Sequence, residues 1–216
     1  STTMSIQNRT ILIVDKNSDN CSSLGKFLSE EGAKTITAYD IKSGLGQMHL
    51  HQPELVIMGG QVPGGNDWEA IRTLRTCSNC PIIILSSISN EYEIVQAFRS
   101  GADDYITIPF SYPILRARID ATLRRCLTSK SAEANVLYDD GYLRVDLSTR
   151  KVVVNGMPIG LTTMEYRLLS YMLKNANSPL SYDSILDSCW GITDGNSLAY
   201  VHVFISRLRK KLEKNP

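Results

Sequence analysis

No run of about 18 apolar residues occurs in this 216-residue chain, so no helix of it is expected to cross a membrane. No basic, apolar leader opens it, and Ser1-Thr2-Thr3 ahead of Met4 reads as a tag remnant. The five cysteines are an odd number, which excludes a fully paired disulfide framework and makes the cytoplasm the expected compartment. The three histidines, His49, His51 and His202, have no ligand spacing, so neither a metal nor any other cofactor is expected. Gly64-Gly65 is not followed by Gly-Lys-Ser/Thr and reads as a turn, not a phosphate loop. The net charge of +1 names no partner. One local excess stands out: Arg207, Arg209, Lys210, Lys211 and Lys214 against Glu213 alone.

What is present is alternation. Apolar runs at 10–14, 33–38, 54–58, 81–85 and 104–107 are each followed by a helical pattern, the last over 112–127. Continuous apolar strands separated by helices predict a parallel sheet covered on both faces, a doubly wound α/β unit over residues 4–127. Ligands of such sheets bind beyond the carboxyl ends of the strands. Those ends lie at Asp15, Gly59, Ser86 and Ile108.

Residues 128–135 are small and polar and read as a linker. From 136 to 216 the period changes. Short alternating strands separated by Asp-Asp-Gly, Ser-Thr-Arg and Asn-Gly predict a small antiparallel sheet. Thr162 and Glu165 form a capping box that opens a helix, and Ser181 caps a second. A third runs from about Asn196 or Ser197 to Leu212, with Val201, Ile205 and Leu208 as its core face. A sheet, three helices and a basic last helix suit an α+β winged helix-turn-helix unit.

Both halves resemble one family, the OmpR/PhoB-type response regulators. The stretches that carry the likeness are Ile11-Leu-Ile-Val-Asp15, Gly101-Ala-Asp-Asp-Tyr-Ile-Thr107 with Pro109-Phe110, Leu161-Thr-Thr-Met-Glu-Tyr-Arg-Leu-Leu169, and Arg207-Leu-Arg-Lys-Lys-Leu212. The resemblance implies a receiver with a flavodoxin-like strand order and a DNA-binding unit behind it. It also implies a phosphoacceptor aspartate ending the third strand and two acidic residues for Mg²⁺ after the first. A hydroxyl after the fourth strand and a lysine after the fifth complete the set. Mg²⁺ needs hard oxygen ligands and the transferring group needs positive charge on its oxygens.

This sequence departs at most of those positions. Asp15 and Ser86 remain, but Lys16 replaces the second acid, Gly59 the phosphoacceptor and Ile108 the lysine. Phosphorylation is therefore not expected, and no enzymatic activity is. Asp19 and Asp67 read as helix-start residues rather than substitutes. Tyr105 holds the place of the aromatic that reports phosphorylation in the family.

The resemblance further places helix 197–212 in the major groove of double-stranded DNA. Arg207 would reach base edges, Val203 a thymine methyl, and Ser206 and Lys210 phosphates. Tyr200, His202 and Phe204 depart from the residues common in the family. The family's β-hairpin wing would follow Pro216, and a trimmed chain is the expectation. Family receivers pair through the fourth helix, fifth strand and fifth helix. By alignment, Asp104 would pair with Arg118 and Asp103 with Arg125 across that interface, while Ile94 and Ile114 replace a third charged pair.

Two further thiol features are weighed. Cys77-Ser-Asn-Cys80 has CxxC spacing but follows a helix instead of opening one. Cys126 ends the last receiver helix, where a thiol could crosslink two protomers. The expected function is a phosphorylation-independent transcription regulator that is a homodimer on repeated half-sites, with RNA polymerase as a further candidate partner. The alternative is a pseudo-receiver interaction module that docks another regulator, with weak DNA binding.

Overall fold

The computed structural model describes residues 6–59, 67–127, 137–192 and 197–216, with only the backbone of 67 and 124–127. The expected linker at 128–135, the Gly64-Gly65 turn, Asn196 and the side chains of Asp67, Arg125 and Cys126 lie outside what it describes. The chain forms two compact units, Ser1–Leu123 and Arg124–Pro216.

In the first unit, β1 (Thr10–Val14), β2 (Lys34–Ala38), β3 (Leu55–Gly59), β4 (Ile82–Ser86) and β5 (Asp104–Thr107) form one parallel sheet in the order β2-β1-β3-β4-β5. The helices α1 (Ser18–Glu30), α2 (Ile41–His51), α3 (Asp67–Cys77), α4 (Glu91–Ser100) and α5 (Tyr112–Leu127) connect and follow them. The strands are apolar without alternation because helices bury both faces; every residue of β3 and β4 is buried. On one face Ile11, Ile13, Leu55, Ile57, Ile83 and Leu85 meet Leu24 and Leu28 of α1 and Leu115 and Ile119 of α5.

The helix starts follow from local chemistry. Asn17, Asp40 and Asn90 each accept hydrogen bonds from first-turn amides of α1, α2 and α4, which satisfies donors that the helix itself leaves open.

In the second unit, β6 (Leu137–Asp139), β7 (Leu143–Asp146), β8 (Lys151–Val154) and β9 (Met157–Pro158) form an antiparallel meander. Asn155 and Gly156 have φ of 48° and 79°, the left-handed pair that a two-residue hairpin turn requires. Three helices follow: α6 (Thr163–Lys174), α7 (Tyr182–Trp190) and α8 (Leu198–Leu212). The capping box is formed, with Thr162 accepting from the Glu165 amide and Glu165 accepting from the Thr162 amide. Trp190 anchors the helices, with Phe204 and Tyr200 rings packed edge-on against it at 4.9 and 5.8 Å. Among the described residues no helix is long and apolar enough to cross a membrane.

Candidate functional site

The order β2-β1-β3-β4-β5 brings the carboxyl ends of β1, β3, β4 and β5 side by side, and with them Asp15, Gly59, Ser86 and Ile108. The Ser86 carbonyl accepts the Ile108 amide at 2.8 Å, and its hydroxyl accepts the Ile88 amide at 3.2 Å. Tyr105 is buried, and its hydroxyl donates to the Ile88 carbonyl at 2.6 Å.

The centre of this edge is the approach of Asp15 to Gly59. A Cβ added to Gly59 would lie 2.2 Å from Oδ2 of Asp15. The carboxylate therefore occupies the volume into which a side chain at 59 would project. It is held there by the Asn17 amide at 2.8 Å and the Asn20 side-chain amide at 3.1 Å. Lys16 is exposed.

A cavity of about 150 Å³ opens beside this contact, between α1 and the start of α5. Its floor is Ile13, Ile57 and Leu85, and Asp15 supplies its charge.

Among the described residues there is no group of three His, Cys, Asp or Glu side chains that could hold a metal. Cys77 is exposed and Cys80 is half-buried, and neither is in a disulfide. Burial pushes the Cys80 thiol up, against the lowering effects of the Ser78 hydroxyl and Arg75, so it is disfavoured as a thiolate nucleophile.

The third helix of the second unit corrects two assignments. Val203 is 7% exposed and packs inside the domain, away from any groove. Arg207 also turns inward: its guanidinium lies over the Phe204 ring at 4.2 Å and 3.4 Å from Oε1 of Glu165. Lys211 joins the same oxygen at 2.8 Å. At 100° per residue, positions 200, 203, 204, 207, 208 and 211 share one side of α8, and 198, 202, 206, 209 and 210 the other. The basic cluster is thus divided. Arg207 and Lys211 neutralise a buried glutamate, while Arg209 and Lys210 face out beside His202 and Ser206. Arg209 makes an exposed ion pair with Glu213, a contact weak enough for a phosphate to displace. His202 is the outward residue that sequence reasoning left out of the candidate face; it lies one turn from Ser206, which was the available signal, while Arg209 belongs to the basic cluster already singled out. Ile205 is only half-buried, less than a core position implies.

The receiver's charged residues have partners within the chain. Asp103 is 1% exposed, pairs with Arg75 at the end of α3, and accepts the Ile82 amide at 2.8 Å. Its carboxylate ties the turn between α4 and β5 to the end of α3, and the side chain of its expected partner Arg125 lies outside the described residues. Asp104 is buried as well and pairs with Arg118 at 3.5 Å within the chain. Ile114 is 56% exposed and Ile94 half-buried.

A doubly wound receiver-type unit joined to a winged-helix unit defines a regulator that acts on DNA. Residues 11–120 match the response regulator receiver domain and 156–216 the C-terminal domain of transcriptional regulatory proteins. The chain belongs to the OmpR/PhoB-type response regulators, a family of transcriptional regulators and not of enzymes. It is 35% identical to the probable transcriptional regulator ycf27 of Cyanophora paradoxa, over 99% of this chain and 91% of that one. It is 32% identical to the KDP operon transcriptional regulatory protein KdpE of Escherichia coli, over 95% of this chain and 91% of that one. A solved cysteine-to-aspartate mutant of RitR shares the fold, with a TM-score of 0.75 at 22% identity over 95% of this chain and 90% of that one.

The Glu165 cluster yields a test. Desolvation pushes the Glu165 carboxyl up, but Arg207 and Lys211 outweigh it and hold it below the ordinary carboxylate range. A depressed pKa contributes stability that is present above the unfolded value and lost as pH falls through the folded one. Arg207→Ala is expected to lower the unfolding free energy of the second unit by about 1–3 kcal/mol at neutral pH. It should also shrink the acid-side loss seen in the wild type. Urea denaturation followed by tryptophan emission at neutral and acid pH measures both. An Arg207→Ala variant as stable as wild type would remove the cluster's structural role.

Proposed function

We propose that this chain is a sequence-specific transcription regulator whose receiver unit works without phosphoryl transfer and serves as a standing dimerisation module. The units are a receiver over 4–127, a linker over 128–135 and a DNA-binding unit over 136–216, in a cytoplasmic protein. The observation that carries the reading is the glycine at 59 with the Asp15 carboxylate in its side-chain space. A glycine offers no carboxylate to phosphorylate. Mg²⁺ does not fit this donor set either, because Lys16 replaces the second acid and Gly59 offers no oxygen, which leaves Asp15 as the one carboxylate of the set. Ile108 brings no cation to a phosphoryl oxygen.

The dimer reading rests on the apolar pair at α4 and α5. On the face that also carries Asp103, Asp104, Arg118 and Arg125, Ile114 is exposed and Ile94 half-buried, which leaves both isoleucines accessible to a second copy. Burying an isoleucine contributes about 1.5–3 kcal/mol before association costs. A two-fold axis repeats the contact, and no phosphoryl group is needed to favour it. The protein is expected to sediment as a dimer at micromolar concentration, little weakened by raised salt. Ile114→Glu should sediment as a monomer; a dimeric Ile114→Glu would move the interface elsewhere.

On double-stranded DNA, the outward face of α8 lies in the major groove, with His202, Ser206, Arg209 and Lys210 available to it. Half-sites are expected about one helical turn apart. RNA polymerase is the further partner that activation would require. Lys210→Ala and Arg209→Ala should each weaken all sequences similarly and reduce the salt slope by about one. Fluorescence anisotropy on selected genomic fragments across a salt series reads both. Unchanged slopes in both variants would place the DNA contact on another surface.

A further inference from the structure

The cavity at the carboxyl edge of the receiver sheet has a volume of about 150 Å³. A cavity of that size lined by aliphatic and aromatic groups can hold a benzene ring. Ile13, Ile57 and Leu85 are buried apolar floor, and Leu24 of α1 continues it. On the far side stand Ile108, Phe110 and Tyr112. The rings of Phe110 and Tyr112 meet edge-on at 5.8 Å, and Phe27 stacks on Tyr112 at 4.4 Å, so this wall is braced from α1.

The polar groups are confined to one end. Among the described residues, Asp15 is the sole charged one that lines the cavity, with Asn20 and Ser23 beside it. Each Asp15 oxygen accepts one described hydrogen bond, and a carboxylate has about four lone-pair sites, so acceptor capacity remains. A body of apolar surface with one carboxylate at its end is complementary to a small molecule of the opposite build.

We propose that this cavity binds a small amphipathic amine, with its aromatic or aliphatic body on Leu24, Ile57 and Leu85 and its ammonium group on Asp15. The replacements at Gly59 and Ile108 make this site: a glycine and an isoleucine leave the space apolar, with no lysine entering it from the end of β5. The proposal rests on the reading that no phosphoryl group enters here, and it names a ligand class in its place.

Benzylamine is the probe, with benzyl alcohol and benzoate as controls of the same ring. In the full-length ¹⁵N-labelled chain without DNA, benzylamine should shift the amides of Gly59, Ile108 and Phe110, with saturation in the millimolar range or tighter. Benzyl alcohol should bind about tenfold more weakly, for loss of a charge-assisted hydrogen bond, and benzoate not at all. Asp15→Asn, which keeps the volume and removes the charge, should weaken benzylamine to the level of the alcohol. Ile108→Lys, made at an exposed position, should abolish benzylamine binding while the fold is retained. Absence of shifts with benzylamine, equal binding of benzoate, or an undiminished response in Asp15→Asn would each overturn the proposal. The titration is independent of the phosphorylation reading: an empty cavity would leave that reading standing, and a phosphorylated receiver would refute it whatever benzylamine does.

Discussion

The Asp15 carboxylate sits over Gly59, in space that any larger residue at 59 would claim. The arrangement at the carboxyl edge of the sheet follows from that contact. It is set by the Asn17 amide and Asn20 side chain of the turn into α1, so the start of that helix positions the carboxylate. The same displacement leaves an apolar recess next to it, bounded by Ile108 where a lysine would fill the space. On the proposed reading, a site built for an anion and a metal has become a site with one carboxylate and a hydrocarbon wall. The chain at 108–112 runs from that wall into α5, which carries Ile114. This is the shortest covalent route from the recess to the proposed dimer face.

The second unit has its own organising charge. Glu165 caps α6 and lies fully buried, so it needs cations brought to it. Arg207 and Lys211 come from α8, one turn apart on its inner face. They lock the third helix against the first, and this leaves the outward face of α8 with Arg209 and Lys210 only. The positive charge on that face is smaller than the sequence count suggests. The ring cluster of Trp190, Tyr200 and Phe204 supports the same helix from beneath.

Much of the fold was legible in the residues. Parallel strands buried on both faces must be apolar throughout, and five such runs stood between helical patterns. The ladders of β3 and β4 extend one residue past the apolar runs, to Gly59 and Ser86, because backbone pairing is indifferent to side-chain polarity. The capping box at Thr162 and Glu165 was legible because it is local. What failed was long-range. The partner of Asp103 is Arg75, which approaches only in the folded unit, and no spacing rule links them. The family resemblance implies an outward Arg207 that reaches base edges. Its inward place over the Phe204 ring makes sense only once the buried Glu165 is set beside it.

On the proposed function, phosphoryl transfer does not operate this receiver. This is tested most directly by incubating the intact chain with acetyl phosphate and Mg²⁺, then recording its intact mass and its sedimentation. The account predicts an unchanged mass and an unchanged monomer–dimer equilibrium. A stoichiometric phosphoryl adduct mapped to the receiver unit, with a shift toward dimer, would contradict it.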